Sequence, residues 1–446
     1  MASRFVKSPV VQTTAKRQYA AQAVAKTEHV VPKPEALKVS TLKNGVIVAS
    51  IENHGPVTSL GVVVKAGSRN ESYENSGISH MLRVSSGLAT KNNTAFGITR
   101  NLQQAGAGLV CTQGREHTLY SVQTTRNNTD MAVDYLTDIV SNQAFKPWEL
   151  GDNLPRLKLE LAQVSPSAQA LELLHLASFR TGLGNSLFCA GHKVGSHTPA
   201  QLQQFVAKHY TTGRTAVVGV GVSHAALTKY AELLNLEEGA GPSSLASKFN
   251  AGEERRETGG SLAYVALAAS VPGATSVKEA LACMLLQRIL GMGAQIKRGN
   301  GQGKLAKAAA AASASNHSVG AIGPMYSDSG LLGALIVAEG GAAGKVVSAV
   351  AAALRSASVT EAEVAAAKKN LIADVLSVQD NAASLIEDIG TQVLLAGDVI
   401  QANKVPELVS GVSVADVQAA AKRLAGSKLS MGAVGNLSTT PYVDSL

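Results

Sequence analysis

Two histidine-bearing segments and one glycine-rich segment carry side chains whose types and spacing could do chemistry. Cys189-x-x-His192-x4-His197 offers a thiol and two imidazoles, the donors that take zinc, but a structural site needs a fourth ligand and none accompanies them. The segment also reads as a loop leading into Thr198, so ordinary loop residues are expected there. Gly299-Asn-Gly-Gln-Gly303-Lys304 resembles a phosphate cradle, yet a Walker loop needs Gly where Arg298 stands and Ser or Thr where Leu305 stands. It fails at both positions. His175 lies among leucines in a helical stretch, which predicts a core or interface histidine rather than a catalyst.

The elements that must position these groups form two similar series. In the first, Thr198 is an N-cap with Pro199 at the first helical position, Leu202, Phe205 and Val206 follow at helical spacing, and Thr215 to Val222 reads as a buried strand. In the second, Ser413 caps a helix carrying Val417 and Ala420, and Leu429 to Leu437 reads as the strand. The caps lie 215 positions apart (413 less 198). Upstream, the helical stretches Trp148 to Val164 and Thr360 to Ser377 keep a similar offset, as do Leu171 to Phe179 and Leu385 to Leu395. Four elements in one order at a nearly fixed separation predict a duplicated domain.

Each half opens with strands, Gly45 to Ile51 and Ser59 to Ala66 in the first and Ser261 to Ser270 in the second. Amphipathic helices follow, such as Asp130 to Val140 with its stripe of Val133, Leu136, Ile139 and Val140. The run Ala306 to Ala312, with Lys307 inside it, is of low complexity and reads as a helix face or connector. Strands interleaved with helices predict an α+β fold of two homologous domains, each a mainly antiparallel sheet with helices on one face. The expected divisions are 38–235 for the first domain, 236–260 for the linker and 261–446 for the second. The linker is drawn through Pro242, a serine pair and the charge run Glu253-Glu254-Arg255-Arg256-Glu257.

The chain of 446 residues is 45% hydrophobic and 16% charged, enough to bury two domain cores, and only 4% aromatic, which argues against a base-stacking surface. Its longest apolar run, Leu331 to Ala338, ends at Glu339 and is too short to span a bilayer. The three cysteines form neither a CxxC pair, nor a haem-attachment motif, nor a four-cysteine cluster. The net charge of +8 is concentrated at the start: Arg4, Lys7, Lys16, Arg17 and Lys26 precede the first acid, Glu28, among Ser, Thr and Ala. This is the composition of a mitochondrial transit peptide. Arg17-Gln18-Tyr19-Ala20 resembles a matrix-processing site cut after Tyr19, leaving 20–37 as an N-terminal extension. Removing residues 1–19 deletes four cations and takes +8 to +4, which weakens any nucleic-acid reading.

The strand ending Val64-Lys65-Ala66-Gly67-Ser68-Arg69-Asn70-Glu71, its loop and the helix Ser76-Gly-Ile-Ser-His80-Met81-Leu82-Arg83-Val84 resemble the first domain of the pitrilysin-type zinc peptidases. That family includes the mitochondrial processing peptidase and the core proteins of respiratory complex III. Its active members carry an inverted motif, His-x-x-Glu-His, in which two histidines hold zinc, the glutamate is the general base and a distant glutamate completes the site. On this chain the resemblance puts the first histidine at His80, the base at Arg83 and the second histidine at Val84, with the distal carboxylate at Lys158 or Glu160. A guanidinium, always protonated, would repel a cation from that helix face. The resemblance therefore implies no catalytic residues, no metal and no cofactor.

Two branches of the family lack the motif, the alpha subunits of the processing peptidase and the second core subunits of complex III. Leu290-Gly-Met-Gly-Ala-Gln-Ile-Lys297-Arg298-Gly299 has a Lys-Arg pair where the alpha branch has contiguous glycines, although Gly301 and Gly303 keep the alpha branch as the alternative. Gly219 to His224, Tyr326 to Gly333 and Gly435 to Leu446 also resemble the core-subunit branch. Membership there implies a peripheral subunit on the matrix side of the inner membrane. Its implied partners are core protein 1 in a heterodimer and the cytochrome b, cytochrome c1 and Rieske subunits, with the Rieske presequence in a cavity between the core subunits.

Overall fold

The structure, a computed structural model, describes residues 32–33, 35–293, 295–296, 303–356 and 358–446. The transit-peptide reading of 1–19 lies outside them, as do Lys297, Arg298, Gly299 and Gly301. The first half contains β1 (Lys38–Thr41), β2 (Ile47–Ile51), β3 (Val57–Val64), α1 (Ile78–Val84), α2 (Ala95–Gln104), β4 (Gly108–Gln113), β5 (Thr118–Thr125) and α3 (Thr129–Ser141). It continues with α4 (Pro147–Asp152), α5 (Leu154–Ala162), α6 (Pro166–Phe179), α7 (Pro199–His209), β6 (Thr215–Val220) and α8 (His224–Glu232). The second half runs β7 (Glu253–Glu257), β8 (Leu262–Pro272), α9 (Val277–Leu290), β9 (Gln295–Ile296), α10 (Lys304–Ala312), β10 (His317–Ile322) and β11 (Ser329–Glu339). It closes with α11 (Ala343–Arg355), α12 (Glu361–Val378), α13 (Ala382–Ala396), α14 (Val405–Ser410), α15 (Val414–Gly426) and β12 (Ser430–Gly435).

The two sheets have the strand orders β1-β2-β6-β3-β5-β4 and β7-β12-β8-β11-β10-β9. Both are antiparallel except where β2 runs parallel to β6 and β7 to β12. These two parallel pairs occupy equivalent places, and β6 and β12 start 215 residues apart (430 less 215), the same offset as their capping residues. Thr198, Thr360 and Ser413 each form a capping box, with Gln201, Glu363 and Asp416 returning the hydrogen bond. The stretch expected as one helix from Trp148 is instead α4 and α5, broken at Asn153. Pro155 has no N–H to give back to the preceding turn.

The alternation of β-strand side chains separates two cores. Leu60, Val62 and Val64 of β3 face the first half's own helices, whereas Val63 faces α13 of the second half, against Ile386 and Ile389. In the second sheet Val265, Leu267 and Ala269 face their own helices, while Ala266 and Ala268 face Leu174 and Phe179 of α6. Each half thus lends one helix to the free face of the other's sheet. Gly432 permits the closest approach: a Cβ there would lie 2.2 Å from the backbone nitrogen of Leu174. Gly390 does the same for α13, where a Cβ would lie 2.3 Å from Val63 Cγ2.

The linker expected over 236–260 is shorter than that. Its charge run Glu253–Glu257 is β7, an edge strand paired with β12. Charged side chains suit an edge, where they discourage further strand pairing, and they hide the apolar alternation by which strands are read. Two of them also hold the C-terminal segment. Arg255 donates to the carbonyl of Thr440 at 2.6 Å and lies 4.4 Å from the ring centre of Tyr442, and Glu253 accepts the Val443 N–H at 2.8 Å.

Candidate functional site

Helix α1 is short, and its start is held by a residue that no capping pattern reveals. Gly77 occupies the N-cap with φ +85°, and Glu71 reaches in to accept the N–H groups of Gly77 at 2.7 Å and Ser79 at 2.9 Å. Burial pushes the Glu71 carboxyl up to about 7, against the lowering effect of those N–H donors. A carboxylate six residues before the cap has no fixed sequence offset, so only the folded loop exposes its role.

His80 projects from α1 and is 1% exposed. The N–H of Cys189 donates to its Nδ1 at 3.1 Å, which leaves the ring proton on Nε2, pointing at Glu160 Oε2 of α5 at 3.1 Å. The ring of Phe188 stands edge-on to it with centroids 5.9 Å apart. Arg83, one turn along α1, donates through Nη2 to the same oxygen of Glu160, and Arg156 approaches the other oxygen at 3.3 Å. The structure therefore brings His80, Arg83 and Glu160 together. Lys158 is exposed, and Val84 is buried in the first half's core rather than facing the carboxylate.

Burial lowers the pKa of His80, assisted by the charge of Arg83 and opposed by Glu160. For Glu160 burial acts upward, but the hydrogen bonds from His80 and Arg83 prevail and leave it below the usual carboxylate range. The result is a neutral imidazole with both nitrogens engaged and a carboxylate with both oxygens engaged. The imidazole has no free lone pair, the carboxylate is already paired with two guanidinium groups that repel a further cation, and a carboxylate held in its ionised form by a guanidinium is a poor proton acceptor. Among the described residues no group of three or more His, Cys, Asp or Glu side chains is placed to hold a metal ion.

The other candidates are dispersed. Cys189 is buried, and its thiol is pushed up to about 11 by burial and by Glu71. His197 gives its Nε2 proton to the carbonyl of Ser76 at 3.0 Å, while His192 is exposed. His175 is an interface histidine between the halves: its Nδ1 donates to Leu171 O at 2.7 Å, so its Nε2 accepts from the Tyr326 hydroxyl at 2.7 Å. Sequence reasoning missed the ionic joint beside it. Arg69 of the first half clasps Asp328 of the second through Nη1–Oδ1 at 2.9 Å and Nη2–Oδ2 at 2.6 Å, and also donates to Glu116 at 2.5 Å. Glu116 in turn accepts the Ser327 N–H at 2.8 Å.

Comparison with known proteins identifies the family. Residues 47–191 match the model of the insulinase family, peptidase family M16, and residues 196–371 match its inactive-domain model. The chain is 36% identical to human cytochrome b-c1 complex subunit 2, with 93% of each protein covered. It is 30% identical to the subunit 2 protein of Neurospora crassa, over 99% of this chain and 96% of that one. A probable alpha-1 subunit of the mitochondrial processing peptidase from Arabidopsis thaliana is 27% identical over 93% of this chain and 84% of its own. Over nearly its whole length, then, the chain belongs to the M16 peptidase family and is most similar, among these relatives, to the b-c1 complex subunit 2 proteins.

Proposed function

We propose that this chain is the second core subunit of the mitochondrial cytochrome b-c1 complex, a structural and catalytically inactive member of its family. The observation that carries the inactive reading is the pairing of Glu160 with Arg83, Arg156 and His80, which sets two fixed cations against any metal at that carboxylate and engages the imidazole that would ligate it. The subunit reading is supported by 36% identity to human subunit 2 against 27% to the processing peptidase alpha subunit.

In this role the subunit sits peripherally on the matrix side of the inner membrane. No helix among the described residues is long and apolar enough to cross a bilayer, in keeping with a peripheral position. It pairs with core protein 1 and supports the cytochrome b, cytochrome c1 and Rieske subunits, and the cavity between core subunits receives the Rieske presequence. Its two halves suit a permanent scaffold because their exchanged helices make them one unit. Native gel electrophoresis of a mild-detergent extract, followed by haem staining, tests the proposal. Migration of this chain with the b and c haems supports it, and recovery only as a haem-free soluble heterodimer favours the processing peptidase.

A further inference from the structure

Between the two halves lies a cavity of about 370 Å³ that the structural role leaves unused. Its walls are apolar and come from separated segments: Leu187, Ala274, Met325, Leu394 and Leu395. Four basic or acidic side chains also line it, and three of them have polar side-chain partners. Arg115 donates to Glu172 at 2.6 Å, Glu116 shares Arg69 with Asp328 and accepts from Ser327, and His117 meets Glu387 at 3.2 Å. Lys65 is the fourth, and its ammonium makes no ion pair or side-chain hydrogen bond among the described residues.

We propose that this cavity binds a single-chain amphiphile with an anionic carboxylate head, the carboxylate on Lys65 and the alkyl chain against Leu394 and Met325. A lysine without an ion pair, lining an apolar cleft, favours a ligand that brings one negative charge together with apolar surface. The volume selects a single chain, since it stands near the lower end of the roughly 300–1,000 Å³ of ligand cavities. A cationic head would meet Lys65 with like charge. Because the walls come from both halves, an occupant bridges them and adds to their clasp.

The test is calorimetric titration of the full chain with dodecanoate, dodecanol and dodecyltrimethylammonium below their aggregation concentrations. Dodecanoate is expected to bind one per chain and the ammonium not at all. Lys65→Met should weaken dodecanoate about ten-fold or more and erase its advantage over dodecanol. Leu394→Trp should abolish both, and Thr391→Trp fills the same space should Leu394→Trp fail to fold. No binding of dodecanoate to the natural chain, or equal binding by the Lys65 and cavity-filling variants, would overturn the assignment. These readouts are independent of assembly into a haem-containing complex.

Discussion

His80 gives its Nε2 proton to Glu160 across 3.1 Å, on the oxygen that Arg83 also occupies. Arg83 thus brings a covalently attached cation to the carboxylate of the neighbouring helix. The arrangement makes the histidine a hydrogen-bond donor fixed in one tautomer, and the two arms on Glu160 act oppositely on its titration.

Glu160→Gln removes the anion that favours the imidazolium, so the His80 pKa falls further. Arg83→Gln removes the opposing cation, so it rises. Nuclear magnetic resonance titration of the His80 ring reads both directions. Glu160→Gln should also cost about 1 kcal/mol in urea unfolding, because the uncharged amide weakens the bonds to buried His80 and half-buried Arg83.

His175 makes stability fall on the acid side. Burial and Arg115 hold its pKa down to about 3, whereas the unfolded chain takes up the proton near 6.5, the ordinary value of a histidine. Above 6.5 both states are neutral. As pH falls below 6.5 the unfolded state binds the proton first, and stability declines until about pH 3. Between pH 7 and pH 5 this one site should remove about 2 kcal/mol. The difference between the natural chain and His175→Gln, followed by denaturant unfolding across that range, isolates it.

The exchanged helices make specific glycines indispensable. Gly432→Ala drives a methyl into the backbone of Leu174, which has no room to retreat, and should cost about 3 kcal/mol or more. Gly390→Ala meets a valine side chain instead and should cost less. Thermal unfolding of the two variants ranks them.

Much of this fold is written in local sequence. The capping residues Thr198, Thr360 and Ser413 announce their helices because a side-chain oxygen three residues before an acceptor partner is a short-range signal. The duplication shows through the same caps. The exchange of α6 and α13 does not show, because the buried residues of α6 lie on more than one side and the single stripe of α13, Leu385, Ile386, Ile389 and Val393, does not say which sheet it covers. Strand β7 is hidden behind its charges, and Arg69 and Glu71 act over contacts whose sequence separations carry no pattern. At the site the family resemblance left Lys158 and Glu160 open. The structure turns Glu160 toward His80, one helical turn beyond Arg156 on α5, and leaves Lys158 in solvent.

Asp328 supports the joint between the halves. Asp328→Asn leaves the Arg69 guanidinium, whose side chain is 5% exposed, with Glu116 as its remaining carboxylate. Asp328 itself is about a third exposed, so the expected loss is about 2 kcal/mol rather than the full cost of an orphaned buried charge. Raised amide exchange across α6 and β12, measured by mass spectrometry, should accompany it.

The central claim is that Arg83 and His80 occupy the carboxylate a metal would need. Metal analysis of the full chain, purified without chelator and dialysed against zinc at low micromolar concentration, tests it most directly. The account predicts zinc well below one equivalent and unchanged by His80→Ala. One tightly held zinc per chain, lost on His80→Ala or Glu160→Gln, would contradict it.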